Sequence, residues 1–426
     1  MIQADLIIEG AAELLTLAGT SSRPRLGEEM RDLGILRQGA VAARRGAIVW
    51  IGPTADLLTA VRPRAFCKYI DARGKTVMPG LVDPHTHLVF AGSRENEFAM
   101  RIQGKTYQEI AAAGGGINAT VAATRAAGKA DLKACARRSL DTMLALGTTT
   151  VEAKSGYGLD VSNEIKMLEV IRELDEGGPM TVVPTFMGAH EVPPEFRQNP
   201  EAYVDLIITR MIPMVAARGL ARFCDVFCET GVFTIQQTER IFRAAQAVGL
   251  ELRVHADELT DLGGAAMAAR LGARTADHLL FANDDGIRAM ADAGTIAVLL
   301  PGTAYFLHLQ RYARARDMIA AGVPIALATD FNPGSCMTES LPLVLSLACT
   351  QMRMLPAEAI TAATINAAWA IGEQDRVGSL EVGKRADVLV LDVPNHEHLC
   401  YHFGVNLADR VFKSGKVVAE RGRRLN

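Results

Sequence analysis

The fold this sequence predicts is a (β/α)8 barrel with a small β-sandwich domain formed by both chain ends. Three observations point there. Eight short apolar runs recur across residues 77–370, separated by Ala-rich stretches of helical spacing. Residues 1–76 and 371–426 read differently, as β runs closed by Gly or Gly-Pro. The chain is 426 residues long, which allows one large domain of roughly 250–300 residues plus a smaller one.

The elements follow in order. Ala4 to Gly10, Gly46 to Pro53 and Lys68 to Gly74 are β-rich runs ending in turn residues, and they read as strands. The barrel strands are expected around Leu81-Val-Asp, Thr148-Thr-Thr-Val, Met180 to Phe186, Phe223 to Phe227, Glu251 to Val254, Ala273 to Asp277, Thr295 to Leu300 and Ile325 to Thr329. Between them, Ala130 to Leu146, Asn163 to Leu174, Thr234 to Val248 and Asp284 to Ala293 carry helical spacing. The β style resumes at Ala386 to Asp392 and Arg410 to Ala419, so the first and last segments build one composite β domain around a catalytic 77–370 barrel. A doubly wound open sheet is the alternative, but no GxGxxG follows the first strand. Gly114-Gly-Gly-Ile-Asn lacks a preceding strand and reads as a loop.

Composition narrows the function. Lys and Arg number 45 against 48 Asp and Glu, a net charge of −3, which argues against polyanion or membrane-surface binding. Apolar residues at 49% and charged residues at 22% are ordinary globular usage. No apolar stretch is long enough for a transmembrane helix, and the first ten residues lack the basic start of a signal peptide. Seven thinly spread cysteines do not make a disulfide framework. Cys224 and Cys228, in a strand-like run, read as buried thiols, and a cytoplasmic protein is expected.

Barrel enzymes place their chemistry where strands end. The first strand runs into Asp83-Pro-His85-Thr-His87, the fifth into His255-Ala-Asp-Glu258, the sixth into His278 and the eighth into Asp330. Residues at i and i+2 of a strand share a face, so His85 and His87 can converge on one ion. Imidazole with carboxylate suits zinc, iron or a similar first-row ion with an open position for solvent. Such an ion acidifies bound water, as hydrolysis at neutral pH requires. A single His at a strand end is more often a hydrogen-bonded core residue; four of the chain's nine His at strand ends favour a metal site.

Val77-Met-Pro-Gly-Leu-Val-Asp-Pro-His-Thr-His resembles the opening motif of the amidohydrolase superfamily, and His255, His278 and Asp330 match its later signature positions. The resemblance spans nearly the whole chain. It implies that His85, His87, His255 and Asp330 bind one metal ion, zinc or iron, and that His278 stands beside the nucleophilic water. Binuclear members carry a bridging lysine near the fourth strand; Phe223 to Glu229 has none, and Lys154 lies after the second strand, so one ion per chain is expected. The His255 to Glu258 spacing is shared with mononuclear members in which the glutamate shuttles protons. Finer motifs, His87 to Phe98 with Arg94, Glu152 to Leu159 with Tyr157, Phe186 to Pro193 with His190, and Asp330 to Ser335, together resemble the imidazolonepropionase family. That family opens the ring of 4-imidazolone-5-propanoate in histidine degradation. The resemblance implies that Arg94, Tyr157, His190, Glu258, Asn332, Gly334 and Ser335 contact substrate or product, and it suggests a homodimer.

The chemistry agrees with these expectations. A propionate tail calls for a fixed guanidinium, and Arg94 lies in the first βα loop. Tyr157 sits between two glycines, a mobile context for a loop laid over a ligand, and His190 could donate to the substrate ring. Backbone N–H groups near Pro333-Gly334 could bind a carboxylate or carbonyl. Water activation falls to His278 or Asp330 and proton transfer at the ring nitrogen to Glu258. The alternatives are an aminohydrolase that deaminates a heterocycle such as guanine or cytosine, and, remotely, a non-catalytic relative. A small-molecule substrate is expected, with no nucleic acid or membrane partner.

Overall fold

The chain enters through β1 (Ile2–Leu15), β2 (Ile35–Arg44), β3 (Ala47–Pro53), β4 (Val61–Asp71) and β5 (Thr76–Pro79). The barrel strands are β6 (Leu81–Asp83), β7 (Thr148–Lys154), β8 (Thr181–Ala189), β9 (Phe223–Cys228), β10 (Glu251–Ala256), β11 (Thr275–His278), β12 (Ile296–Leu299) and β13 (Ile325–Leu327). The chain closes through β14 (Val388–Leu391), β15 (Ala408–Lys413), β16 (Lys416–Glu420) and β17 (Arg423–Arg424). This is a computed structural model, and it describes residues 1–19, 22–105, 109 and 114–425.

The two ends of the chain meet in one nine-stranded mixed sheet, ordered β17-β16-β15-β14-β5-β1-β2-β3, with β4 paired in parallel to β1. β5 is the joint: it runs parallel to β1 and antiparallel to β14. The sheet encloses a core of Leu6, Ile8, Leu14, Val41, Val77, Val388 and Phe412, contributed from both ends. β2 and β5 were not among the expected strands, because their runs lack a strict apolar alternation.

All eight expected barrel strands are present, consecutive and parallel, ordered from β13 to β6. Both faces of the strands are covered, so they read as continuous apolar runs, as Val182 and Val183 or Ile296 to Leu299 illustrate. The four expected helices form at Lys129–Ala145, Val161–Gly177, Ile235–Ala247 and Asp284–Ala293. Three of them have side-chain N-caps, from Asp160, Thr234 and Asn283.

The seam between β13 and β6 is closed by polar residues. Thr329 N–H and hydroxyl donate to the Asp83 carboxylate at 3.1 and 2.6 Å. Beyond it, Asp330 N–H donates to His85 O at 3.1 Å and His87 N–H to Phe331 O at 2.9 Å. The barrel therefore completes itself through the segments that carry the site. Among the described residues, no helix is long and apolar enough to cross a membrane.

Candidate metal centre and substrate pocket

His85 and His87 lie just past β6 and not on it, so strand alternation is not what aims them. Thr86 between them is gripped by β7: its hydroxyl donates to Glu152 O at 2.6 Å, its N–H donates to the Glu152 carboxylate at 3.2 Å, and its carbonyl accepts from Lys154 N–H at 3.0 Å. His255 stands near the end of β10, His278 ends β11, and Asp330 lies three residues past β13. The backbones of His278 and Asp330 are left-handed, with φ of +75° and +53°. For non-glycine residues this is uncommon and concentrates at functional sites.

These five side chains converge and are buried. His85, His87 and Asp330 can present ligand atoms within 4.8 Å of one another, and so can His85, His255 and His278. The Nε2 atoms of His87 and His255 face each other at 3.3 Å, and Asp330 Oδ1 is 3.4 Å from His85 Nε2 and 3.6 Å from His87 Nε2. His85 Nε2, His278 Nδ1 and Asp330 Oδ1 are buried without a hydrogen-bond partner. An unmade bond of this kind costs about 1–3 kcal/mol per group. An ion held by His85, His87, His255 and Asp330 would satisfy His85 Nε2 and Asp330 Oδ1, so the donor set fits a first-row metal, and it leaves His278 Nδ1 facing Glu258 at 3.5 Å. Burial holds His85, His87 and His278 well below the usual histidine range, with neighbouring cationic groups adding to the effect. They are neutral imidazoles, the form that ligates.

Asp225, Asp277, Arg253 and Glu152, which sequence reasoning passed over, hold this cluster together with Lys154. His85 Nδ1 meets Asp277 Oδ2 at 2.6 Å, and Asp277 in turn accepts from Arg253 at 3.1 Å. His255 Nδ1 meets Asp225 Oδ1 at 3.0 Å, and Lys154 Nζ donates to Asp225 Oδ2 at 2.8 Å and to Glu152 at 3.0 Å. Each imidazole thus gives its Nδ1–H to a carboxylate anchored by a buried cation, which fixes the tautomer with Nε2 free. Burial works to raise Asp225, but His255 and Lys154 outweigh it and hold the carboxyl well below its ordinary range. The signal was present in the sequence: charged residues inside apolar strand runs, as in Phe223-Cys-Asp-Val-Phe.

Glu258 is buried, with its carboxylate 3.5 Å from His278 Nδ1. Burial, aided by Asp330 and Glu229, pushes it up to about 8. Burial lifts Asp330 to about 6, against the hydroxyl of Thr303, which donates to it at 2.5 Å.

The remaining expected residues lie near this cluster, His190 stacked 4.8 Å from His87 between ring centroids and Asn332 Nδ2 donating to Asp330 O at 2.7 Å, with three corrections. Tyr157 is not on a mobile loop. The fully buried Glu164 accepts from the N–H groups of Gly156, Gly158 and Leu159 at 2.8 to 3.1 Å, and Tyr157 is packed 5.2 Å from His190 between ring centroids. His190 gives its Nδ1–H to Gly156 O at 3.0 Å, and burial lowers it to about 3, so the neutral ring presents Nε2 as an acceptor and not as the expected donor. The backbone N–H groups of Gly334 and Ser335 are not free for a ligand; Asn332 Oδ1 accepts both at 2.8 Å. Local turn chemistry took them first.

Arg94 is held in place by an acidic neighbour. Glu97 takes its Nε and Nη2 at 2.9 and 2.8 Å, and the guanidinium lies against Gly334, where a Cβ would collide with it.

An eight-stranded barrel with buried imidazoles and a carboxylate at its C-terminal mouth defines a class, and comparison agrees with it. The Amidohydrolase family profile matches residues 76–418. The chain belongs to that family. It is 53% identical over 424 residues to the imidazolonepropionase of Symbiobacterium thermophilum, covering 99% of each chain. To the imidazolonepropionase of Geobacillus kaustophilus it is 55% identical over 419 residues, covering 98% of this chain and 99% of that one. Within the amidohydrolases it therefore belongs to the imidazolonepropionases. Among solved structures it is similar to a zinc-bound adenosine deaminase from Xanthomonas campestris (TM-score 0.71, 18% identity, 100% of this chain and 95% of that one). It is also similar to a 5-methylcytosine deaminase from Klebsiella pneumoniae (TM-score 0.73, 17% identity, 99% of each). At that identity the likeness speaks to the fold alone.

Proposed function

We propose that this chain hydrolyses 4-imidazolone-5-propanoate to N-formimino-L-glutamate in histidine degradation. The observation that carries the reading is identity above 50% along the full length to imidazolonepropionases. His85, His87, His255 and Asp330 would hold one ion per chain, zinc or iron. A bound ion of this kind supplies Lewis acidity that polarises a carbonyl and acidifies water.

The chain's own residues do the rest. Water adds to the ring carbonyl carbon, the carbon–nitrogen bond of the cyclic amide breaks, and the departing nitrogen takes a proton. His278 or Asp330 accepts the proton of the attacking water. Glu258, protonated near neutral pH, gives its proton to the ring nitrogen. Arg94, aligned by Glu97 and lying over Gly334, binds the propionate. Tyr157 and His190 orient the ring, His190 by accepting from a ring N–H. Asn332, Gly334 and Ser335 form the turn against which Arg94 and the substrate rest.

The enzyme works as a homodimer in the cytoplasm; its seven free cysteines suit a reducing compartment. The test is loss of the imidazolone ultraviolet absorbance on adding metal-loaded protein, abolished by a chelator and restored by the metal. Unchanged absorbance with metal-loaded protein rejects the assignment.

A further inference from the structure

Glu229 is a buried carboxylate just past β9 that belongs neither to the ligand set nor to the substrate contacts. Its own backbone is pinned, N–H to Phe233 O at 3.1 Å and O from Val232 N–H at 3.0 Å. Its side chain reaches across to the loop after β10. Oε2 accepts from the N–H groups of Leu259 and Thr260, at 2.8 and 3.3 Å. Oε1 accepts from Thr230 N–H at 2.8 Å and from the Thr260 hydroxyl.

Leu259 and Thr260 are the two residues immediately after Glu258. On the other side of Glu258, the Asp257 carboxylate accepts from Gly264 and Ala265 N–H groups at 2.9 Å, and Asp257 O accepts from Phe281 N–H at 2.8 Å. The short loop that carries Glu258 is therefore clamped on both flanks by buried carboxylates. Glu229 is the clamp that comes from a different strand, so it sets where Glu258 stands relative to the neighbouring wall of the barrel.

We propose that Glu229 is a positioning residue for hydrolysis: by tying down the peptide groups of Leu259 and Thr260 it holds the Glu258 carboxyl at the distance from which it serves the ring nitrogen. A carboxylate is required because both oxygens must accept. A glutamine of the same shape turns its NH2 toward one pair of donors and loses that side of the clamp. The inference rests on Glu258 being the proton carrier.

The test is a double-mutant cycle on metal-loaded enzyme, with kcat and KM for wild type, Glu229→Gln, Glu258→Gln and the double variant. Glu229→Gln lowers kcat about 10- to 100-fold, the range for a catalytic group displaced by a fraction of an ångström to an ångström. KM and metal content stay near wild type, since Arg94 and the ligands are untouched. In the Glu258→Gln background the same substitution has no further effect on kcat, because there is no acid left to misplace. Wild-type kcat in Glu229→Gln overturns the proposal, and so does a loss that multiplies with that of Glu258→Gln. Undiminished turnover in Glu258→Gln alone refutes the role of Glu258 and removes the basis for Glu229 with it. Where Glu229→Gln does not fold, Thr260→Val removes only the hydroxyl from the clamp. It should lower kcat about threefold or more, again only when Glu258 is present; full kcat in Thr260→Val overturns the proposal.

Discussion

Replacing Asp225 by Asn keeps the side chain's shape and removes one charge from the buried row Lys154–Asp225–His255. The two contacts at stake are 2.8 Å to Lys154 Nζ and 3.0 Å to His255 Nδ1, all three side chains being at most 4% exposed. Removing one member of a buried pair costs about 3–5 kcal/mol. Lys154 keeps Glu152 at 3.0 Å, so the folding loss lies toward the lower end, about 3 kcal/mol. The effect on the site is separate. His255 loses the anionic acceptor that fixes its tautomer and strengthens Nε2 as a donor to metal, which lowers metal affinity about 10- to 100-fold. That equals about 1.4–2.8 kcal/mol. Chelator competition on folded variant measures the second quantity, and denaturant unfolding of the metal-free protein the first. Unchanged metal affinity in Asp225→Asn, with loss confined to folding, would refute the argument and leave the row with a purely structural role.

Other perturbations separate the roles of the pocket residues. Glu258→Gln should cut kcat by about 100-fold or more while metal content stays full, as expected for loss of a general acid; metal loss would make Glu258 structural instead. Its acid form, held up to about 8 by burial, is present below that value and disappears as pH rises through it. A bound cation lowers the value, so kcat/KM should fall along an alkaline limb at or below about 8. The residual activity of Glu258→Gln should lack that limb, and a limb unchanged in the variant assigns it to another group. Gly334→Ala places a methyl group against the Arg94 guanidinium. It should raise KM about tenfold for the propionate substrate with little effect on kcat, by displacing a charged hydrogen-bond donor. Equal loss on a carboxylate-free analogue would contradict this use of Arg94. Gly158→Ala drives a methyl group into the backbone of Glu164, so the Tyr157 loop must shift. KM should rise, with unfolding stability lower by about 1–3 kcal/mol; wild-type KM would show that Tyr157 does not read the substrate.

Much of this arrangement was legible in the residues. The eight barrel strands announce themselves because both their faces are covered, which leaves short unbroken apolar runs between amphipathic helices. The five converging side chains announce themselves because ionisable residues at strand ends need a reason to be there. β2 and β5 were missed for different reasons: β2, a hairpin partner of β3, lacks a strict apolar alternation, while β5 is four residues long and its partner β14 is more than 300 residues away in the chain. Asp225, Asp277, Arg253 and Glu152 were missed for a related reason. Each makes sense only once its strand lies beside another, where His85 and His255 find their acceptors. The glycines around Tyr157 suggested mobility, but the structure uses Gly158 for close approach to the buried Glu164 and Gly156, at φ +110°, for close approach to His190 and Met187. Pro333-Gly334 suggested free N–H groups, yet Asn332, two residues upstream of Gly334, satisfies them. Local signals fixed where the turn lies and gave no account of what its donors face.

The most direct test of the central claim is hydrolysis of freshly generated 4-imidazolone-5-propanoate by metal-loaded enzyme in heavy-oxygen water, with the product identified by mass spectrometry. The expected product is N-formimino-L-glutamate with one heavy oxygen, in the carboxylate made from the ring carbonyl, and no such product forms after chelation. A product with the heavy oxygen elsewhere, or release of ammonia with the ring intact, would contradict it.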